Sequence, residues 1–396
     1  MTSGTESCEN IVDNNMNLGP SWKIWRHKRY VVAIMAFLGF MNIYTLRANL
    51  SIAIVDMTQL KNITLDNGTT ILKKDFDWDS KLQGYVLSSF FYGYVFTQIA
   101  GGYLATKIGG TWVFSFGIAS TAFFTLITPW VAKTNVYFFI VVRTIEGLCE
   151  GLTFPAVQEI WSQWAPPAEK SRLVSISISG GYFGAVVAMP ACSLIASSLG
   201  WEYIFYIFAL LDFDLNQVGF LAALPYLVMS LMVQAGGYSA DFILQRKYLN
   251  TTQVRKLLIM TGFSAQAIFL LLAGYWVSPV GTSVCLVVAV GLGGLAVSGM
   301  GVVPIDIAPK FASVIYGIAT TVATLPGIIS PILTGYLVTD STNIFQWRIV
   351  FYIASGIYLF GIIVCFMFIS GVRQSWADKE EVIMKGNHNQ YFVSTE

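Results

Sequence analysis

The sequence predicts an all-α integral membrane protein, a bundle of about ten spans of roughly 20 residues each. Three observations predict it. Hydrophobic residues make up 55% of the 396-residue chain, charged residues only 11%, and mean hydropathy is +0.63; soluble domains carry about 25% charged residues. The apolar residues gather into runs longer than a soluble core helix needs. Lysines and arginines recur at alternate ends of these runs, which is the pattern of a chain threaded with its positive loops inside. A net charge of +1 gives no footing for a nucleic-acid partner. Cys8, Cys149, Cys192, Cys285 and Cys365 show no metal or disulfide spacing. Nothing in the pattern points to an enzyme, a metal or an organic cofactor.

Residues 1–29 form a polar tail ending in Lys23, Arg26, Lys28 and Arg29, which places that end in the cytosol. The first span runs from about Tyr30 to Val55, too long for a cleaved signal peptide. The polar loop that follows, to Ser80, holds two N-glycosylation acceptors, Asn62-Ile-Thr64 and Asn67-Gly-Thr69. Such triplets also occur unused, but two in a loop placed outside agree with the orientation. The second span, Leu82 to Ala105, ends in a basic, glycine-rich turn carrying Lys107. The third covers Trp112 to Val131, the fourth Val136 to Trp161, and the fifth Leu173 to Ala196, where Gly180, Gly181 and Gly184 predict close helix packing. Trp201 to Leu211 is then only half a crossing. Five full spans follow: Gln217–Leu244, Leu257–Trp276, Gly281–Val303, Ala312–Val338 and Trp347–Ser370. Residues 373–396 form a polar cytosolic tail.

The chemistry concentrates in the fourth span. Arg143, Glu146 and Glu150 lie at membrane depth with spacing i, i+3, i+7, which puts them on one helix face. Each costs about 2.5–3.5 kcal/mol at the bilayer centre on insertion scales. Gly147 and Gly151 leave that face open to a close neighbour or to water. Arg143 and Glu146 neutralise each other as a structural pair in one view. In the other, one arginine cannot satisfy two acids, and the surplus carboxylate is a proton site.

An internal repeat accounts for the half-span. Gly84 to Gly102 and Gly219 to Gly237 have the same separation, and each pair closes on Gly-Gly-Tyr. Glycine is abundant here, so coincidence is the competing explanation. Parallel halves leave such weak symmetry in carriers. Counted against the repeat, two spans and their connecting loop are missing near residues 210–212. An even number of missing spans preserves the sidedness of everything downstream.

Several motifs in order carry a resemblance: Tyr44-Thr-Leu-Arg47-Ala-Asn49-Leu-Ser51, Ser89-Phe90-Phe91-Tyr92-Gly93-Tyr94 with Thr97-Gln98, Arg143-x-x-Glu146-Gly-x-x-Glu150-Gly-x-Thr153-Phe154-Pro155, Trp161-Ser-x-Trp164-Ala-Pro-Pro, Leu224-Pro225-Tyr226-Leu227 and Asp306-Ile-Ala-Pro309. The chain resembles the anion:cation symporters of the major facilitator superfamily, the group of sialin, the vesicular glutamate transporters and the sodium–phosphate cotransporters. Sialin-like sequences and insect inorganic phosphate cotransporters look most similar. The resemblance implies a twelve-span alternating-access fold, of which ten spans are present: an N-terminal half over 30–211 and a C-terminal half over 212–372. It implies a proton- or sodium-coupled symporter of organic or inorganic anions such as sialic acid, acidic amino acids or phosphate, in a lysosomal, vesicular or plasma membrane, with both termini cytosolic. Arg47, with Tyr44 and Tyr94, would meet the anion; Arg143, Glu146 and Glu150 would couple the proton. Arg47 as a plain counter-ion to Asp56 or to the glutamates is the competing role.

Three positions depart from the family pattern. Leu87 replaces the histidine of the vesicular glutamate branch, Thr106 replaces a loop aspartate that Asp241 keeps in the second copy, and the sixth and seventh helices are absent. The last departure implies a splice variant or incomplete gene model of such a transporter, and sets beside the symporter an alternative: a non-transporting form that associates with a full-length one.

Overall fold

Thirteen α-helices and one short hairpin make up the described part of the chain. The structure is a computed structural model of the full chain and describes residues 28–59, 61–64, 70–210, 220–276, 279–337 and 344–377. Most of both tails, the sequon at Asn67 and the junction at 211–219 lie outside the described residues.

The N-terminal half holds α1 (Lys28–Thr58), α2 (Ser80–Ile108), α3 (Gly110–Thr134), α4 (Val136–Glu150), α5 (Thr153–Trp164), α6 (Lys170–Ser198) and α7 (Trp201–Leu210). The C-terminal half holds α8 (Phe220–Gln245), α9 (Thr251–Tyr275), α10 (Pro279–Met300), α11 (Val303–Ile307), α12 (Ala312–Leu337) and α13 (Ile344–Phe368). Eight helices, counted among the described residues, are long and apolar enough to cross a membrane. The other two of the ten passes fall short for identifiable reasons. The α2 helix is long but carries a polar stripe, and the fourth pass is divided. Aromatic and aliphatic side chains such as Met35, Phe96, Trp112, Phe123 and Phe360 stand exposed on the outer surface, as a lipid-facing bundle requires.

Two expectations need correction. The fourth span is not one helix from Val136 to Trp161: α4 ends at Glu150 and α5 starts at Thr153. Pro155 has no N–H for the carbonyl of Gly151 one turn back, and its ring crowds that carbonyl. The same device divides α10 from α11 at Gly301–Val302, ahead of Pro304. The loop between α1 and α2 is also not wholly irregular. Strands β1 (Lys61–Thr64) and β2 (Thr70–Lys73) pair antiparallel, with Asn62 opposite Leu72. The sequence signal for it was Asn67-Gly68 between two β-branched runs.

Glycines set the closest crossings. A Cβ on Gly147 would lie 1.9 Å from the carbonyl oxygen of Phe90, and one on Gly93 would lie 1.9 Å from that of Thr144. The backbones of α2 and α4 therefore touch, which fixes Phe90 and Tyr94 against the charged stripe. The predicted glycine face of α6 packs in the same way, with Gly180 and Gly184 against the backbone of α1 at Phe37 and Met41. We expect Gly147→Leu to abolish the folded, monodisperse species in size-exclusion chromatography. A Gly147→Leu protein with an unchanged melting temperature would mean that α2 and α4 do not need this contact.

The glycine repeat has a structural counterpart. Gly102 on α2 meets the backbone of Ser313 on α12, and Gly237 on α8 meets the side chain of Ser175 on α6. Equivalent positions in the two halves thus each form a close contact between the halves. Near those contacts, at the end carrying Lys107, Lys170, Arg255 and Lys310, polar groups link the halves. Asp306 accepts from Lys170 Nζ at 3.0 Å and from Arg255 Nε at 2.8 Å. Asp241 accepts from the backbone N–H of Ser171 and Arg172 at the start of α6. Gln158 donates to the Gly301 carbonyl, and Ser313 donates to Glu159. Further in, Gln98 donates to Thr324 and Ser230 to the Ser179 carbonyl. These links run from the basic end to mid-depth, so the bundle is clamped at its basic end. Asp306→Asn weakens both ion pairs at once, and we expect it to increase alkylation of a cysteine introduced at Ser313.

The truncated element is α7. Its ten residues span about 15 Å, half of a ~30 Å hydrocarbon core. Trp201, Ile204, Phe205 and Phe208 are nonetheless buried with Leu46, Leu50 and Phe139 in one apolar cluster. A second cluster, around Phe40, Phe114, Trp161 and Leu173, fills the half towards the basic end.

Candidate functional site

Between these two clusters, at mid-depth, lie two ion pairs. Arg143 NH1 donates to Glu146 Oε2 at 2.6 Å within α4, and Thr125 Oγ1 of α3 donates to the other oxygen at 2.6 Å. Glu150, at the end of the same helix, is not served by Arg143. It is met by Arg47 from α1, whose Nε donates to Oε1 at 3.0 Å and whose NH2 contacts the same oxygen. Two arginines thus hold two glutamates: Arg143 pairs with Glu146, as the structural view of the stripe had it, and Arg47 takes the counter-ion place at the acid left over. The sequence offered Asp56 or either glutamate as the partner of Arg47 and could not choose among them, because Glu150 is 103 residues away on another helix.

The two pairs differ in access. Arg143 and Glu146 are buried on all sides, and Glu150 has no exposed side-chain surface. Arg47 keeps 21% of its side chain accessible although it sits near the middle of a membrane helix. The guanidinium lies over the rings of Tyr94 at 4.8 Å, Phe90 at 5.0 Å and Tyr44 at 5.1 Å. Such cation–π contacts hold a cation without neutralising it. Tyr44 and Tyr94 thus stand where the motif reading placed them, beside Arg47.

Glu150 is only half satisfied. Both donors of Arg47 go to Oε1, and Oε2 is buried with no hydrogen-bond partner among the described residues. A buried polar atom in that condition costs about 1–3 kcal/mol, more when it is charged. A proton on Oε2 would remove most of that cost and would weaken the hold on Arg47.

Phe90 was quoted in a motif without a role. Its ring lies between the two guanidinium groups, 5.0 Å from that of Arg47 and 5.6 Å from that of Arg143. It separates the accessible pair from the enclosed one. Phe90→Ala should open a water path between them, and we expect the pH dependence of anion binding to broaden while the melting temperature falls by several degrees. At Leu87, one turn of α2 away, the side chain packs into the apolar cluster with Leu46 and Val86. It adds no charge to the site.

A two-halved helical bundle with an arginine–glutamate pair at its centre defines a membrane carrier. The chain belongs to the Major Facilitator Superfamily, whose profile matches residues 32–213 and again residues 210–383. Its relatives include vesicular glutamate transporter 1 of Bos taurus, 33% identical over 446 aligned positions that cover 90% of this chain and 79% of the relative. Vesicular glutamate transporter 2 of Homo sapiens is 33% identical over 445 positions, covering 89% and 76%. These place the chain among the anion:cation symporters. The xylose transporter XylE from E. coli, in a partially occluded inward-open conformation, shares the fold with a TM-score of 0.61 at 15% identity, over 86% of this chain and 98% of that one. A D-xylose-proton symporter structure gives 0.62 at 13% identity, over 87% and 99%.

The alignment to the bovine relative bears on the missing spans. It runs to 446 positions, more than the 396 residues of this chain, while using 90% of them. Gaps in this chain therefore face a long stretch of the relative, enough for two spans of ~20 residues and a loop. The two profile matches overlap at 210–213, next to the end of the described part of α7.

Proposed function

We propose that this chain carries the anion site of a proton-coupled organic-anion symporter, with Arg47 as the anion-binding cation and Glu150 as the proton carrier. The observation that supports it most is the single Arg47–Glu150 pair, open on the arginine side and unsatisfied on the glutamate side. With Glu150 ionised, the arginine is occupied. With Glu150 protonated, Arg47 turns its charge to the cavity and an anion takes the place of the carboxylate. Binding of proton and anion then favour each other, and that coupling is reciprocal by linkage. Arg143 and Glu146 hold α4 in register and bear on the proton step through Phe90. Sodium is the competing coupling ion.

The positive-inside pattern supports cytosolic termini and a clamped basic end that faces the cytosol, with the cavity opening to the other side. On that side Asn62 and Asn67 would be glycosylated. The relatives' printed names favour a vesicular membrane, and a plasma membrane would supply the same gradient. The half boundary proposed is 211/212.

A second reading has its own observation: the alignment leaves a stretch of the bovine relative, long enough for two spans, without a counterpart in this chain. In it, this form binds but does not transport, and acts, if at all, beside a full-length form. The discriminating experiment is uptake of sialic acid, glutamate and phosphate into proteoliposomes under an inward proton gradient. The chain as given is compared with a version carrying the two missing spans. Gradient-driven uptake by the given chain supports the symporter reading; uptake only by the extended version supports the second.

A further inference from the structure

The cations at the basic end of the bundle fall into two groups. Arg29 is paired with Glu169 at 2.9 Å, and Lys170 and Arg255 are both paired with Asp306. Arg172 and Arg246, by contrast, meet no carboxylate among the described residues; each meets an aromatic ring. The Arg172 guanidinium lies over Tyr238 at 4.7 Å, and that of Arg246 lies over Phe242 at 5.2 Å.

Both rings belong to α8 and stand one turn apart on the same face. Both are exposed on the outer surface, and so is Leu231, two turns further along that face from Tyr238. Arg172 reaches them from the other half of the bundle. It lies in the first turn of α6, and the crossing of Gly237 against the Ser171 carbonyl and the Ser175 side chain brings it onto α8. The seam between the halves therefore ends, at its basic end, in two arginines with an apolar strip running from them along the outer surface.

The acids nearest this strip are engaged. Glu169 is held by Arg29, and Asp241 is buried and accepts from the backbone N–H groups of Ser171 and Arg172. The Arg172 side chain donates only one hydrogen bond, a long one of 3.4 Å from NH1 to the Tyr30 hydroxyl, and its Nε has no partner among the described residues. Arg246 stands exposed. A cation–π contact holds a guanidinium in place without neutralising it, so both charges remain for an anion from outside. A guanidinium fork matches the oxygens of a phosphate, and basic pockets between helices at a cytosolic membrane face suit anionic headgroups. A free phosphate would meet the charges alone. A phospholipid would also lay its acyl chains along Phe242 and Leu231.

We propose that the α6–α8 seam at the basic end binds one anionic phospholipid, with its phosphate between Arg172 of the N-terminal half and Arg246 of the C-terminal half. The site is separate from Arg47 and stands whatever the chain carries. Because the two cations come from opposite halves, the bound lipid adds a tie across the clamped seam. Phosphatidylcholine is disfavoured there, since its headgroup brings a cation towards two arginines.

The test is lipid retention by the purified full chain in micelles holding phosphatidylglycerol and phosphatidylcholine at equal mole fraction, read by native mass spectrometry. One phosphatidylglycerol should be retained in preference by about twentyfold. Arg172→Gln and Arg246→Gln should each lower that preference about fivefold, the contribution of one cation near an anionic headgroup. Lys256→Gln removes another cation that lies over an exposed ring, Phe366, on helices away from the seam, and should change nothing. Inorganic phosphate should not displace the lipid. Equal retention of the two lipids by the parent would overturn the proposal. So would an equal loss in Lys256→Gln, which would mean diffuse attraction, or displacement by phosphate, which would mean a free-anion site. The two-lipid comparison on the unaltered chain and the variant at exposed Arg246 decide the matter even where Arg172→Gln folds poorly.

Discussion

Arg47→Ala is expected to abolish anion binding and to destabilise the bundle together. Breaking a buried pair by removing one partner costs about 3–5 kcal/mol, because the other charge is left uncompensated. Glu150 has no exposed surface and no second donor among the described residues. It would escape part of that penalty by taking up a proton, so the loss should be larger at pH 8 than at pH 5. The double variant Arg47→Ala/Glu150→Gln removes the stranded charge. It should regain most of the stability at pH 8, measured by thermal unfolding, and none of the binding. Recovery of binding in the double variant would mean that the anion site lies elsewhere.

Arg143→Ala is expected to have the larger structural effect and no direct effect on the anion. Arg143 is enclosed between α2, α3 and α4, and its loss leaves Glu146 with the Thr125 hydroxyl alone. A cost of about 3–5 kcal/mol is enough to unfold a marginally stable chain. Arg143→Ala/Glu146→Gln keeps the hydrogen bond from Thr125 and removes the unpaired charge. We expect it to express, and its sialic-acid affinity at pH 5.5 to lie within about threefold of the parent's, since neither residue faces the cavity. A double variant that is stable yet does not bind would show that the enclosed pair acts on the anion through Phe90 rather than only holding α4 in place.

Much of the fold was legible in the sequence, because membrane spans announce themselves by length and apolarity. The charged stripe was legible for the same reason: Arg143, Glu146 and Glu150 stand out in a run that tolerates no charge without a use. The repeat at Gly84–Gly102 and Gly219–Gly237 pointed to two halves, and the structure turns its closing glycines into equivalent contacts between them. What stayed hidden was long-range. Arg47 was legible as a counter-ion to Asp56 or to the glutamates, but nothing local singled out Glu150 among them. The division of the fourth span was within reach, since Pro155 stands four residues after Gly151, but the unbroken apolar run concealed it. Asp241 illustrates the middle case. Its survival in the second copy was visible, and its role, capping the first N–H groups of α6 from the opposite half, was not.

The account turns on one exchange: a proton on Glu150 frees Arg47 for an anion. The most direct measurement is the pH dependence of sialic-acid affinity for the intact chain and for Glu150→Gln, each purified into phosphatidylcholine nanodiscs and titrated from pH 5 to pH 8. The parent's affinity should rise as pH falls, because protonation releases the arginine. Glu150→Gln, which is permanently neutral, should bind at pH 8 as tightly as the parent does at pH 5, with a flat profile between. A Glu150→Gln protein that retains the parent's pH dependence, or that binds no more tightly at pH 8 than the parent does, would contradict it.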